Sequence, residues 1–360
     1  VKHNIKKTGG NFRIPGDFIC AGPYGSGHIN DTYCAIYNQG GKNVRYIFQR
    51  INHNVFKNPP ALMENIERVT EHQHSKMLEE KSSRRALRLI RAQNGYPYYR
   101  DEQGLYWRVY IFIENAKTYD VIEKPEQAFE AAAAFGEFQR TLVDLKGGRL
   151  IETIPDFHNT PARYEKLKDA VEKDAFNRAA DVKKEIDFAM ARESCAGTLI
   201  DLHEKGEIPE RITHNDTKLN NVMIDDKTGE GICVIDLDTV MPGLVHYDFG
   251  DLVRTSTSPV AEDEKDLSRV RMQPHMFEAL IKGYLKTADG FLTGIEKEYL
   301  PFSGKLITLE IGVRFLTDYL MGDVYFKIHR EGHNIDRCRT QFKLVSSIEE
   351  NEETMMSFIK

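Results

Sequence analysis

Cysteine is scarce and unpatterned in this chain of 360 residues. Cys20, Cys34, Cys195, Cys233 and Cys338 are odd in number, and no pair has CxxC spacing. That excludes a disulfide framework and leaves a structural zinc site unsupported. The five read as small thiols in a reducing compartment. No run of about 18 apolar residues occurs, so no transmembrane helix and no membrane partner are expected. The first sixteen residues are polar and basic without an apolar segment, unlike a signal peptide, and the expected location is cytoplasmic. An excess of basic charge is also missing: 49 Lys and Arg stand against 55 Asp and Glu, a net charge of −6. Such a chain has no global attraction for nucleic acid. Tryptophan occurs once, at Trp107, so an aromatic cage for a quaternary ammonium ligand is not evident, although sixteen tyrosines leave it open.

The elements that are present come in two blocks. Phe18–Tyr24, Thr32–Tyr37 and Val44–Ile51 read as strands separated by glycine turns, an antiparallel meander. Asn58-Pro59-Pro60 then opens a helix with Leu62, Ile66 and Val69 at helical spacing. Leu87–Ala92 and Tyr106–Ile113 read as two further strands. After Glu114 the pattern turns helical, with helices expected at 127–142, 161–175, 184–203, 275–287, 296–321 and 337–358 and a short β section over 211–235. The expected fold is α+β and two-lobed. An N-terminal lobe of five antiparallel strands and a helix spans 1–113, and a mostly helical lobe spans 114–360.

The strongest stretch is Thr213-His214-Asn215-Asp216-Thr217-Lys218-Leu219-Asn220-Asn221, followed by two strands, the second running into Ile235-Asp236-Leu237-Asp238. The layout suits phosphoryl transfer from ATP. Mg²⁺ takes hard oxygen ligands, and Asn221 and Asp236 supply two. A hydroxyl nucleophile needs a proton acceptor, and Asp216 stands five residues before the metal-ligand asparagine. Lys218 brings positive charge towards the transferring group.

The N-terminal block supplies a matching nucleotide half. Gly25, Ser26 and Gly27 lie between the first two strands, where backbone N–H groups can approach phosphates. Phe112 and Ile113 fall in the natural hinge for adenine. This order resembles that of kinases, which implies that Glu67 on the first long helix partners a strand lysine, but the position that would hold that lysine is Gln49. Arg50 falls on the opposite strand face.

The spacing His-x-Asp-x-x-x-x-Asn followed by a strand-borne Asp resembles the catalytic loop of protein kinases, and resembles more closely the aminoglycoside phosphotransferase and choline kinase group. Gly27-His28-Ile29-Asn30-x-Thr32-Tyr33, the 213–221 stretch, Ile235–Gly243, Asp248–Asp251, Glu262–Ser268 and Leu300–Gly304 are together similar to the bacterial N-acetylhexosamine 1-kinases. The resemblance implies ATP- and Mg²⁺-dependent phosphorylation of N-acetylglucosamine or N-acetylgalactosamine at the anomeric O1. It further implies that Asp216 is the base, that Asp236 holds metal, and that His28, Arg314 and Tyr325 contact the sugar with Asp216. Asp248-Phe249-Gly250 comes about twelve residues too late to be the metal motif, and is expected to cap a turn or helix. A kinase of choline, homoserine or an aminoglycoside stays open, as does a nucleotide-binding pseudokinase, because Gln49 breaks a key position.

Overall fold

The computed structural model describes residues 2–25, 27, 29–77, 84–119 and 121–359. The chain forms two compact units, of which the first takes Val1–Lys117, Asp144–Ile154 and Met223–Met241, and the second takes the remainder. The segments 144–154 and 223–241, assigned from the sequence to the C-terminal lobe, therefore group with the N-terminal strands.

The first unit is built on an antiparallel sheet. A short helix α1 (Ile5–Gly9) precedes β1 (Asp17–Pro23), β2 (Asp31–Gln39) and β3 (Lys42–Ile51). The long helix α2 (Pro59–Met77) follows, then β4 (Tyr99–Arg100), β5 (Tyr106–Ile111) and β6 (Ala116–Lys117). The five-stranded sheet has the order β1-β2-β3-β5-β4. Its alternation is what the pleat demands. Tyr33, Tyr46, Phe48, Trp107 and Val109 face one buried aromatic core with Phe12 and Ile5. The intervening residues, Thr32, Gln49 and Arg108, stand side by side in register on the other face.

One expected strand is different. Leu87–Ala92 does not form a continuous strand; it makes an isolated bridge, Leu89 to Tyr110, and Ile90 N donates to Val109 O at 2.8 Å. The edge of β5 is shared. Segment 88–90 takes the Val109–Ile111 end, and β4 takes Tyr106 and Trp107, so neither runs the full length.

The second unit is helical: α3 (Pro125–Leu142), α4 (Thr160–Lys173), α5 (Lys183–Met190), α6 (Thr198–Glu204), α7 (Val245–Ser256), α8 (Pro274–Ala288), α9 (Gly294–Glu298), α10 (Leu300–Leu320), α11 (His333–Glu350) and α12 (Glu352–Ser357). A core of Tyr164, Leu167, Leu309, Val313, Leu316, Cys338, Phe342 and Val345 joins α4, α10 and α11. α8 lies against α3 with almost no room between backbones: a Cβ at Gly283 would stand 2.1 Å from Phe129 O. Three helices expected as continuous are broken. The 184–203 stretch interrupts at 3₁₀ turns near Glu193–Cys195. The 296–321 stretch restarts at Leu300, since Pro301 suits a first turn and cannot continue α9. The last breaks at Asn351. Among the described residues no helix is long and apolar enough to cross a membrane, and all five cysteines are free.

Candidate active site

In the second unit, the loop after strand Arg211–Thr213 carries Asp216, Lys218 and Asn221 together. Asn215 adopts φ +64, a left-handed conformation that Asn tolerates, and its side chain closes on Thr213 through Thr213 Oγ1 to Asn215 Oδ1 at 3.0 Å. Gly243 is required beside this turn, because a Cβ there would stand 2.4 Å from Thr213 Oγ1. Asp248 on α7 anchors the loop. Its Oδ1 accepts Asn215 N at 2.7 Å, and its Oδ2 accepts His214 N at 2.9 Å and Gln139 Nε2 at 2.7 Å. Asp248 thus caps a turn as the sequence suggested, but from inside a helix and against the catalytic-type loop.

Within the loop, Lys218 Nζ lies 2.8 Å from Asp216 Oδ1. Asn221 Nδ2 donates to Asp216 O at 2.8 Å and to Asp216 Oδ2 at 3.2 Å. The Asp216 carboxyl is about a third exposed yet ringed by protein. Burial alone would push it up, but Lys218, with His214 and Arg254 behind it, holds it below the ordinary carboxylate range. Burial likewise opposes the charge on Lys218, and Asp216 raises it above the usual lysine value. The pair is therefore an ionised carboxylate beside an ammonium. Arg254, largely buried, is neutralised by Asp251 at 2.8 Å and Glu262 at 2.6 Å.

A second cluster in this unit centres on α10. Arg314 reaches Tyr325 OH at 3.5 Å and lies 5.5–5.8 Å from the rings of Phe157, Tyr325 and Phe326. The i+4 ion pair with Asp318 does not form. Asp318 instead accepts Val324 N, Tyr325 N and Phe326 N at 2.9, 2.7 and 2.9 Å, which shapes the loop that presents Tyr325. Tyr325 is 68% exposed, so its face is open to a ligand. Arg163 adds a second cation: burial and then the charge of Arg314 hold its guanidinium below the usual arginine value. Glu310, one turn before Arg314, is fully buried and spoken for, by His158 Nδ1 at 3.0 Å and Thr160 Oγ1 at 2.6 Å. His158 Nε2 lies 3.4 Å from Asn215 O.

In the first unit, Gly25 sits at φ +77, and a Cβ at Gly25 or Gly27 would meet nothing within 4 Å, leaving open space above the loop. Ser26 and His28 lie outside the described residues. Phe112 packs under the Arg45 guanidinium at 3.7 Å and edge-on to Tyr24 at 5.5 Å. Its N–H is used by Arg45 O, while Ile113 follows it out of the sheet. Glu67 has no part in a strand–helix ion pair at Gln49; it pairs with Arg91 at 2.7 Å. The residue that α2 sends to the metal-type turn is Asn65, whose Nδ2 donates to Val240 O at 3.1 Å and Ile151 O at 2.7 Å. Gln49 bridges Thr32 Oγ1 at 3.3 Å and Arg108 Nε at 2.9 Å. Asp236 opens the turn Leu237–Thr239 at φ 60, ψ 56.

Arg108, Asn65, His158, Glu310 and Gln139 were missed in the sequence. Arg108 had a signal, a charged residue inside an apolar strand at Tyr106–Ile111; the others are partners at sequence distances of 57 to 175 residues and left none.

The donors suit a hard cation that is completed by other oxygens. Asn221 commits its NH₂ to Asp216, which turns its carbonyl oxygen into the remaining donor. Among the described residues no group of three or more His, Cys, Asp or Glu gathers to hold a metal by itself. Mg²⁺ typically keeps one or two protein ligands and takes the rest from phosphate and water, and the Asn221 carbonyl oxygen and the Asp236 carboxylate are each, taken singly, of the donor type it accepts.

A sheet-based unit with a glycine loop, and a helical unit with an Asp–Lys–Asn loop, define a protein-kinase-like phosphotransferase fold. The chain belongs to the phosphotransferase enzyme family (APH), which matches residues 21–288. It is similar in structure to an aminoglycoside phosphotransferase from Alicyclobacillus acidocaldarius, with a TM-score of 0.54 and 12% identity over 91% of this chain and 88% of that one. A choline/ethanolamine kinase family protein from Mesorhizobium loti gives a TM-score of 0.54 and 13% identity, over 94% and 92%. The GDP complex of aminoglycoside 2′-phosphotransferase-IIIa gives 0.51 and 12%, over 93% and 94%.

Proposed function

We propose that this phosphotransferase moves the γ-phosphoryl group of ATP to the anomeric O1 of an N-acetylhexosamine, N-acetylglucosamine or N-acetylgalactosamine. The observation that carries the transfer is the Asp216–Lys218–Asn221 loop held by Asp248. Asp216, ionised, accepts the proton of the attacking hydroxyl as its oxygen bonds to phosphorus and the bond to the ADP oxygen breaks. Lys218 keeps that carboxylate charged and offsets negative charge on the transferring group. Asn221 and Asp236 would hold Mg²⁺, which supplies charge neutralisation to the phosphates. Gly25, Gly27 and the Phe112–Ile113 hinge are the nucleotide contacts in this reading, and the GDP complex of a protein of similar fold supports a nucleotide as phosphoryl donor.

The acceptor reading rests on Arg314 and Tyr325. Two guanidinium groups, Arg163 and Arg314, electrostatically coupled and with the nearby Glu310 already engaged, disfavour a cationic acceptor such as choline or an aminoglycoside. They favour a neutral acceptor rich in carbonyl and hydroxyl oxygens, and the exposed Tyr325 ring offers an apolar face for a pyranose or an acetamido methyl group.

The experiment is ADP release from Mg²⁺-ATP with N-acetylglucosamine, N-acetylgalactosamine, galactose, glucosamine, choline and homoserine, with NMR of the product. Phosphate on the anomeric oxygen of an N-acetylhexosamine is the expected result. Turnover confined to a cationic acceptor overturns the sugar reading, and ATP binding without turnover on any acceptor points to the pseudokinase.

A further inference from the structure

A charged side chain with no exposed surface is retained for its geometry rather than its contribution to stability, because desolvation offsets most of the Coulomb gain of a buried pair. Arg108 on β5 is such a residue. Its Nε donates to Gln49 Oε1 at 2.9 Å and its Nη1 to Asp238 Oδ1. Its Nη2 is buried with no acceptor among the described residues, as is the hydroxyl of Tyr110, whose ring lies 5.4 Å from the guanidinium. A guanidinium kept for packing alone would have its nitrogens satisfied.

Asp238 is gripped from both sides. Arg108 takes Oδ1, and Asn30 Nδ2 donates to Oδ2 at 2.7 Å, while Asn30 Oδ1 accepts Asn52 N at 2.9 Å. With both oxygens engaged, Asp238 serves as an anchor and leaves the ligand role to Asp236, two residues earlier. The left-handed backbone of Asp236 persists only where its surroundings over-determine it. Arg108 and Asn30 on Asp238, with Asn65 on Val240 O, are those surroundings. The charge of Asp236 also reaches both Arg108 and Tyr110.

We propose that Arg108 is a positioning residue for the metal-binding carboxylate. It holds Asp238, Asp238 fixes the Asp236 turn, and the cation that is missing from β3 at Gln49 is thereby supplied from the neighbouring strand, acting through a carboxylate. Asn30, just before β2, binds the same carboxylate, so the start of β2 and the Asp236 turn share Asp238 as a common anchor. The proposal rests on reading Asp236 as the metal carboxylate.

The test compares ADP affinity with Mn²⁺ and without divalent metal, by calorimetry on the full chain, with no turnover involved. The double variant Arg108→Met/Asp238→Asn leaves no unpaired charge. Asp238→Asn alone, nearly isosteric, is read in parallel and stands in for the double variant if that does not fold. The expected result is that metal-free ADP affinity stays near wild type while the gain on adding Mn²⁺ falls about tenfold or more, the usual effect of removing a residue that orients a metal ligand. Arg108→Lys should recover part of the gain. A full Mn²⁺ gain in the variants overturns the proposal and leaves the pair as packing. An equal loss of metal-free affinity also overturns it, and makes Arg108 a direct phosphate contact. Asp236→Ala separates the two levels: a Mn²⁺ gain that survives there removes the metal reading itself.

Discussion

Asp248 and Asn215 are joined by a 2.7 Å hydrogen bond from the Asn215 N–H to Asp248 Oδ1, and the other carboxylate oxygen takes the N–H of His214 at 2.9 Å. One buried side chain therefore sets the backbone course of the residue immediately before Asp216. Burial pushes the Asp248 carboxyl up, against the pull of His214 and its three donors.

Asp248→Ala strands two backbone N–H groups and the Gln139 amide, so a loss of about 3 kcal/mol in stability is expected. Phosphoryl transfer should fall more than nucleotide affinity, because the residues proposed to contact the nucleotide belong to the other unit. Urea unfolding beside single-turnover kinetics checks both. Unchanged stability would mean that water replaces the carboxylate.

Asp216→Asn removes the proposed proton acceptor while keeping its shape. Turnover should drop by about 10²–10⁴-fold, with the unfolding midpoint close to wild type. Burial works against the charge on Asp216, but Lys218 holds its carboxyl below the ordinary carboxylate range, so the residue is ionised wherever an ordinary aspartate is. A pH profile of kcat at saturating substrates should accordingly carry no acid limb from Asp216 in the range 5–8. Such a limb, lost in the Asn variant, would contradict the ion pair.

Arg314→Ala should raise KM for the acceptor by about tenfold or more, the size of one lost charge-assisted hydrogen bond, with KM for ATP little changed. Arg314→Lys keeps the charge but loses the fork, and should recover only part. Initial-rate kinetics with each substrate varied in turn give the split. An effect on ATP alone would move Arg314 out of the acceptor site.

His246 supplies a pH-dependent stability term. It is buried on α7 beside Glu296 O at 3.0 Å, and desolvation holds its pKa at about 4 against 6.5 in the unfolded chain. The unfolded state therefore binds the proton first as pH falls. Stability is unaffected above pH 6.5, declines between 6.5 and 4, and has lost about 3 kcal/mol by the lower end. Urea titrations at pH 7, 5.5 and 4.5 on wild type and His246→Gln measure the difference. Equal slopes in the two proteins would assign the acid sensitivity elsewhere.

The architecture was readable where local pattern and tertiary outcome agree. The meander of β1 to β3 is carried by alternation around Phe48 and Tyr46, and the Asp216 loop by its own spacing. Leu87–Ala92 misled because its composition suits a strand, whereas the β5 edge it needs is split with Tyr99–Arg100. The 184–203 and 296–321 helices misled at their breaks, the first at the 3₁₀ turn Glu193–Cys195 and the second where Pro301 outweighs the apolar period. Gln49 was recognised as a departure, but its replacement lies 59 residues away on another strand, visible only once Gln49 and Arg108 stand in register. Glu310 and His158 share nothing in sequence that announces a contact 152 residues apart.

Glu310 has one neighbour a helical turn away that faces the acceptor reading, Arg314, and another, His158, that touches the backbone of Asn215. On the proposed reading, substrate choice and base placement hang on a common support. Drift in acceptor preference is confined by this to the outer residues, Arg314, Tyr325 and the Asp318-shaped loop, which can vary without disturbing the catalytic loop. A lineage that altered Glu310 to reach a new acceptor would shift its own proton acceptor in the same step, so diversification of this site should proceed from the rim inward.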